Sequence, residues 1–413
     1  MSGGDNGARF AIDGRVPQEI VFPESTEQAA GMLHVAAEHQ RAVSPVGTGA
    51  FLHIGGLPRR YDLALCLQRM NRVLDYQPTD MTIAVEAGIS LARLQQVLGE
   101  QNQWLPIDPP WPERVTVGGL IAMNLSGPSR FSQGTIRDFL IGIKVIRADG
   151  TVIKSGGRVV KNVAGYDLAK LYCGSFGTLG VIAEAIFKIR PRPEARTVVA
   201  LGFPTAEQAM AVVLRVLGTE LQPTLIELTN CDVGELGAKR SPYQLYIGFA
   251  GSVEEIAYQH NRLQEIAGAS GEQQSALPDA IRDFPVSGDA ALRCKVSLLP
   301  SQITPFCQAV EEESPVRGLS VEMVAHAGNG ILYCRLPQRD NPSREKLLSF
   351  VDWLRILAKK LGGTVVIEAI DPTLKDRVDV WGHVGSSFPL MKRLKETLDP
   401  QGMINPGRFV GGL

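Results

Sequence analysis

The chain has 413 residues, 44% of them hydrophobic and 21% charged, with a formal net charge of −1. That length and apolar content predict two or three domains with a sizeable core, and the near-zero charge excludes a general nucleic-acid or acidic-surface partner. The six cysteines are scattered and form no C-x-x-C pair, which argues against a zinc ribbon or an iron–sulfur cluster and fits a reducing, cytoplasmic setting.

Residues 1–15 are polar and glycine-rich without an apolar h-region, so they predict a flexible N-terminus and no signal peptide. No run of about 18 apolar residues predicts a membrane span. Ser25-Thr26-Glu27-Gln28 predicts a capping box. Ala29, Met32, Leu33, Ala36 and Ala37 follow at helical spacing. Strands are expected over 42–46, 63–67 and 82–86, and a helix from Ser90 with Leu91, Leu94 and Leu98 inward. Strands and helices thus alternate through the first hundred residues.

Gly47-Thr48-Gly49 ends the first of those strands. It is not a dinucleotide fingerprint, because Leu52 stands where the third glycine would be. No P-loop pattern occurs. Asp108-Pro109-Pro110-Trp111-Pro112 is a rigid extended segment that leads to Val117-Gly118-Gly119 and Asn124, followed by the small-residue turn Ser126-Gly127-Pro128-Ser129. Ala148-Asp149-Gly150 predicts a hairpin between 141–147 and 151–154. Residues 156–180 then hold six glycines in 25 positions, interleaved with Tyr166, Tyr172 and Phe176. Such density suits either tight turns or backbone in close contact with a phosphate-bearing cofactor. A strand is expected over 181–190.

From Glu194 the glycine clusters thin out. Helices are expected over 254–267 and 345–361, and an exposed loop over 268–280. Residues 398–409 return to the glycine/proline texture of the first half.

Pro45-Val46-Gly47-Thr48-Gly49, Thr116-Val117-Gly118-Gly119, Gly174-Ser175-Phe176-Gly177-Thr178-Leu179-Gly180-Val181 and Asn405-Pro406-Gly407-Arg408 occur in one order. Together they resemble the vanillyl-alcohol-oxidase / PCMH-type FAD-binding family over residues 13–193 and the tail. The segment 157–168 is most similar to glycolate oxidase and its D-2-hydroxyacid dehydrogenase relatives, and within them to the second FAD-binding subunit. His326-Ala327-Gly328-Asn329-Gly330 and Val378-Asp379-Val380-Trp381-Gly382 add to that likeness.

The resemblance implies an α+β protein. A PCMH-type FAD-binding domain would span 16–193, with lobes at about 16–105 and 106–193. A C-terminal α+β cap would span 194–392, and a tail over 393–413 would return to the FAD. It implies non-covalent FAD held by Val46, Gly47, Thr48, Gly49, Ala50, Pro109, Gly118, Gly119, Asn124, Ser126, Gly177, Thr178, Gly180, Val181 and Asn405. Ala50 stands where tethered relatives place a histidine, and His53 reads as an ordinary polar side chain. It further implies a 2-hydroxyacid substrate, a sister FAD-binding subunit, an iron–sulfur subunit of glycolate oxidase, and a cytoplasmic place at the inner face of the plasma membrane reached through those partners.

Catalytic relatives resemble one another in a metal-bearing H-x-G-D-G-N-x-H run and a later Glu-His pair. Here His326 is kept, but Asn329 and Tyr333 replace the acidic residue and the second histidine, and Ala369 follows Glu368. No metal is therefore expected. His326 reads either as a hydrogen-bonded structural residue or as a base. Glu368, inside the apolar run 365–370, reads either as a functional carboxylate or as half of an ion pair. Lys295 and Arg335 are candidate carboxylate clamps. The alternatives to an FAD subunit of a glycolate-oxidising complex are a stand-alone D-2-hydroxyacid dehydrogenase and a catalytically silent FAD-binding scaffold.

Overall fold

The computed structural model describes residues 6–157, 167–231 and 241–413. The glycine-rich stretch at 156–180 therefore falls partly outside the described residues, including Tyr166. Among the described residues the strands form four sheets.

The first lobe holds a three-stranded parallel sheet of β1 (Glu19–Val21), β2 (Val43–Val46) and β3 (Leu63–Cys66), in the order β1-β3-β2. The helix Thr26–Glu38 makes the connection that parallel pairing requires. Its N-cap Ser25 accepts from the Gln28 amide, while Gln28 Oε1 accepts from the Glu24 amide, one residue before the partner expected in a capping box. Ala29, Leu33 and Ala36 are its buried stripe.

Next come β4 (Val73–Gln77), β5 (Thr82–Glu86), the short β6 (Gln103–Trp104), β7 (Leu140–Ile146), β8 (Val152–Gly156), β9 (Val181–Lys188) and β10 (Arg190–Pro191). β4, β5, β9, β7 and β8 form an antiparallel sheet in that order, and β10 pairs with β6. The β7–β8 hairpin turns where Ala148-Asp149-Gly150 predicts it.

The remaining strands are β11 (Ala195–Phe203), β12 (Leu225–Thr229), β13 (Tyr243–Gly251), β14 (Glu272–Gln274), β15 (Ala290–Ser297), β16 (Glu322–His326), β17 (Ile331–Pro337) and β18 (Thr364–Ile370). They build one antiparallel sheet, ordered β14-β11-β13-β12-β16-β17-β15-β18. Helices Ala206–Leu217, Val253–Ala267, Ile303–Val316 and Arg344–Lys360 contribute to the apolar core on one face. The other face carries the smaller Val324, Ile331, Tyr333 and Tyr246 cluster. Residues 268–280 are not wholly a loop, because β14 adds an edge strand to β11.

The expected loose N-terminus does not include residues 10–13. Phe10 and Ile12 are buried with Val46, Tyr61 and Ala64, and Asp13 pairs with Lys375 of the second half at 2.8 Å. Apolar side chains at 10 and 12 gain more from burial than a short tail loses in freedom. The tail is likewise anchored. Ile404 bridges to Val43, and Lys395 Nζ donates to Thr178 O, Ile404 O and Asp399.

Candidate active site

Two adjoining cavities sit where the glycine loops, the large sheet and the tail meet. The first holds about 870 Å³, open to solvent on one side, and is lined by 45–52, by Thr116, Gly118 and Gly119, by Phe176, Gly177 and Gly180, and by Asn405. The second, of about 930 Å³ including its mouth, is lined by Asn124, Ser126, Lys295, Tyr333, Glu368 and Trp381 among others. Phe51, Met123 and Phe176 line both.

The loops of the first cavity are fixed by close contacts between backbone segments. A Cβ on Gly47 would lie 2.4 Å from Thr116 Oγ1, and one on Gly118 would lie 3.0 Å from the Ala87 Cβ. These two glycines therefore let the loops pack on each other. Gly119 and Gly177 differ, since a Cβ there meets only ordinary contacts at 3.4 and 3.7 Å. Their missing side chains leave cavity space. Among the described residues the amides of Gly47, Thr48, Gly49 and Gly177 have no backbone carbonyl partner. Asn405, held in the left-handed region at φ 50, donates to Phe176 O at 2.9 Å, and its buried Oδ1 is unpartnered. The Arg114 guanidinium lies 4.2 Å from the centroid of the Trp111 ring at the cavity edge. A concave wall of free amides with the Arg114 guanidinium at its edge fits a pyrophosphate-bearing cofactor.

Twelve of the fifteen residues expected at the cofactor line one of the two cavities. Val46, Gly47, Thr48, Gly49, Ala50, Gly118, Gly119, Gly177, Gly180 and Asn405 line the first cavity, and Asn124 and Ser126 the second. Pro109 lies instead in a separate groove with Trp104 and Arg196. In an extended segment neighbouring residues face opposite ways, and it is Pro110 that reaches the second cavity. The other two, Thr178 and Val181, are buried behind the wall. Thr178 Oγ1 donates to Ser175 O at 2.7 Å and its carbonyl accepts from Lys395, while Val181 opens β9 opposite Ile146.

The second cavity owes its chemistry to three adjacent strands. Lys295 on β15 is flanked across the ladder by Tyr333 on β17 and Val366 on β18. The β15–β18 register shifts between Arg293 and Cys294, which pair with Ala369 and Ile367 and leave Glu368 as the extra residue of a bulge. Val365, Ile367 and Ile370 thereby all reach the helix-side core, while Val366 and Glu368 face the cavity. Among the described residues the Lys295 ammonium, the Glu368 carboxylate and the Tyr333 hydroxyl have no hydrogen-bond or ion-pair partner. Burial pushes the Glu368 carboxyl up, partly offset by Lys295 and Arg293. Burial pushes the Lys295 ammonium down, partly offset by Glu368. The Tyr333 phenol is raised, first by burial and then by Glu368, so it stays a hydroxyl donor.

His326 lies beside this group and not on the cavity wall. It is 4% exposed, and its Nδ1 sits 2.7 and 2.8 Å from the two oxygens of the fully buried Glu227. Its ring meets Tyr333 edge-on at 5.5 Å, and Nε2 has no partner. The sequence reading missed Glu227, although a carboxylate inside the apolar strand Leu225–Thr229 is the same signal that Glu368 gives. Arg335 is committed elsewhere, to Glu322 and Ser287 O. Tyr172 is a core residue. Among the described residues no group of three His, Cys, Asp or Glu side chains could hold a metal ion.

The family model of an FAD binding domain matches residues 17–156, and that of the C-terminal domain of FAD linked oxidases matches 192–368 and 381–409. The chain is an FAD-linked oxidase of the PCMH type. FAD is the cofactor of this FAD-linked oxidase, and the first cavity fits it. The FAD-linked oxidase is 27% identical to glycolate oxidase subunit GlcD of Bacillus subtilis (strain 168), over 95% of this chain and 89% of the relative. It is 27% identical to a D-lactate dehydrogenase of Archaeoglobus fulgidus (95% and 91% covered), and 24% identical to a D-2-hydroxyglutarate dehydrogenase of Stutzerimonas stutzeri (95% and 91%). The fold is shared with an alkyldihydroxyacetonephosphate synthase (TM-score 0.72, 19% identity, 94% of this chain and 76% of the other). It is also shared with 4-ethylphenol oxidase from Gulosibacter chungangensis (TM-score 0.71, 17% identity, 94% and 88%). FAD-linked oxidation of hydroxyacids is the activity of the family. No helix among the described residues is long and apolar enough to cross a membrane.

Proposed function

We propose that this FAD-linked oxidase oxidises a 2-hydroxymonocarboxylate to the 2-oxoacid, as an FAD-binding subunit of a 2-hydroxyacid dehydrogenase complex of the glycolate oxidase kind. The observation that carries the reading is one cation and one carboxylate, neither in a hydrogen bond or ion pair among the described residues, facing the same cavity from neighbouring strands. A 2-hydroxyacid presents a carboxylate and, one carbon away, a hydroxyl whose proton must leave. Lys295 holds the carboxylate and Glu368 accepts the hydroxyl proton. The Tyr333 hydroxyl donates to the substrate oxygens. FAD, when bound, supplies the two-electron acceptor. Residues 45–50 and Gly118, Gly119, Gly177 and Asn405 would hold it, with Phe51, Met123 and Phe176 at the junction of the two cavities.

The likeness to a glycolate oxidase subunit supports partners of the same kind: a sister FAD-binding subunit and an iron–sulfur subunit that takes the electrons onward to the membrane. The alternative, an enzyme that works alone, is favoured by the same three side chains, which form a site within this chain. Anaerobic mixing of the purified holoprotein with glycolate and D-lactate tests the activity, and copurification of bound chains tests the complex. Bleaching of the flavin that is lost in Lys295→Met and Glu368→Gln supports the reading. A flavin that no hydroxyacid reduces, alone or with copurified chains, overturns it, and bleaching at full rate without any partner makes the chain autonomous.

A further inference from the structure

We infer that the second cavity selects monocarboxylic 2-hydroxyacids carrying a bulky apolar side chain, and rejects dicarboxylic ones. The inference rests on the reading of Lys295 and Glu368 as the partners of the substrate carboxylate and hydroxyl.

The charge inventory of the cavity is short. Among the described residues lining it, Lys295 is the one cation and Glu368 the one anion. The guanidiniums behind the wall already have partners, and Arg130 donates to Ser126 Oγ at 3.4 Å. Arg293 donates to Ser287 O at 2.7 Å and Gly288 O at 2.9 Å, and Arg335 is bound to Glu322 and Ser287 O. Once Lys295 holds the first carboxylate, a second one would enter a partly dehydrated space facing Glu368, with no further cation on the described wall. Desolvation and like-charge repulsion both oppose that.

Asn124, Ser126, Ser297 and Tyr333 add uncharged polar groups, and most of the remaining wall is apolar. Ile54, Val286, Val366, Trp381 and Phe409 line the part not shared with the first cavity. Trp381 and Phe409 are braced against Phe176, with ring centroids 5.0 and 5.9 Å away, so this wall is preformed. A two-carbon acid leaves these surfaces in water. A branched or aromatic side chain removes them from water, and the apolar area covered is the source of selectivity. The family includes dehydrogenases named for monocarboxylic and for dicarboxylic substrates, and this cavity has the chemistry of the first kind.

The test uses the full-length holoprotein and a panel of glycolate, lactate, 2-hydroxy-4-methylpentanoate, 3-phenyl-2-hydroxypropanoate, malate and 2-hydroxyglutarate. Two signals are read: anaerobic flavin bleaching, and perturbation of the flavin spectrum by the corresponding 2-oxoacids. Both should favour the branched and aromatic acids over glycolate and over the dicarboxylates by about tenfold or more. Tightest binding or fastest reduction by glycolate or by a dicarboxylate overturns the inference. If no acid bleaches the flavin while the 2-oxoacids still bind in the expected order, the selectivity stands and the oxidation reading fails; if nothing binds, both fail. In Val366→Arg a second cation faces the cavity, and affinity for 2-oxoglutarate should rise by about tenfold relative to the wild type. An unchanged affinity in a folded, flavin-loaded variant also counts against the inference.

Discussion

Lys375 and Asp13, 362 positions apart in the chain, form a buried ion pair at 2.8 Å. The same ammonium donates to His53 O and Gly55 O, and the buried Arg408 guanidinium donates to Leu52 O, Ile54 O and Gly56 O. The carbonyls of 52–56 are thus held by one cation from the cap and one from the tail. Phe51 and Ile54 belong to this loop and line the second cavity, so the clasp fixes a wall of the site. Lys375→Met leaves Asp13 buried without its main partner and should cost about 3–5 kcal/mol. The check is the unfolding midpoint of holoprotein, with Lys375→Arg recovering part of the loss. An unchanged midpoint would show that the pair adds nothing.

The first cavity can be tested without breaking the loops that form it. Gly119→Val places its side chain in cavity space with only ordinary contacts to protein. The variant should purify folded and colourless, with a circular dichroism spectrum like that of apoprotein. Gly47→Val is expected to misfold instead, because Thr116 occupies the space its Cβ needs. A yellow Gly119→Val at full occupancy would move the cofactor elsewhere.

The pH dependence of flavin reduction follows from two opposed shifts. Glu368 must be ionised to accept a proton, and burial raises its pKa above the ordinary 4.5. Lys295 must be charged to hold a carboxylate, and burial lowers its pKa below the ordinary 10.5. The rate should therefore rise with pH through a limb above 4.5 and fall through a limb below 10.5. Glu368→Gln removes the acid limb along with most of the rate. A profile flat between these limits would remove both residues from the chemistry.

Glu227 sets a stability dependence of its own. Burial raises its pKa above 4.5, with Asp108 adding to the rise and His326 opposing it. Its contribution to stability is fully present below 4.5 and is lost as pH rises through the folded value. Glu227→Gln keeps an acceptor for His326 Nδ1 but does not ionise. Denaturant titrations across that range should show the variant gaining on the wild type as pH increases, and the reverse slope would contradict the assignment.

Much of the scaffold is legible locally. Ser25, Ser90 and Ser252 cap helices whose apolar stripes repeat at helical spacing, and Ala148-Asp149-Gly150 turns a hairpin. The glycine segments bring most of the expected residues to one cavity for the same reason. A backbone wall needs small residues at strand ends, and that is a property of short stretches. Pro109, Thr178 and Val181 departed from expectation because which way a residue faces depends on what its segment packs against. The packing of Phe10 and Ile12, and the Asp13–Lys375 pair, involve partners too distant in sequence to be seen in it.

By itself the sequence determined the α+β class, the PCMH-type FAD-binding likeness and the apolar strand in which Glu368 sits. Only the tertiary structure decided where that carboxylate faces. Glu368 read equally as a functional group or as half of an ion pair, because an apolar strand constrains burial and not pairing. A bulge against β15 turns it into the cavity with Lys295, while the register of β12 and β16 brings Glu227 to His326. Ladder register is a long-range choice among many pairings of similar local cost, and a shift of one residue exchanges the two faces of a strand.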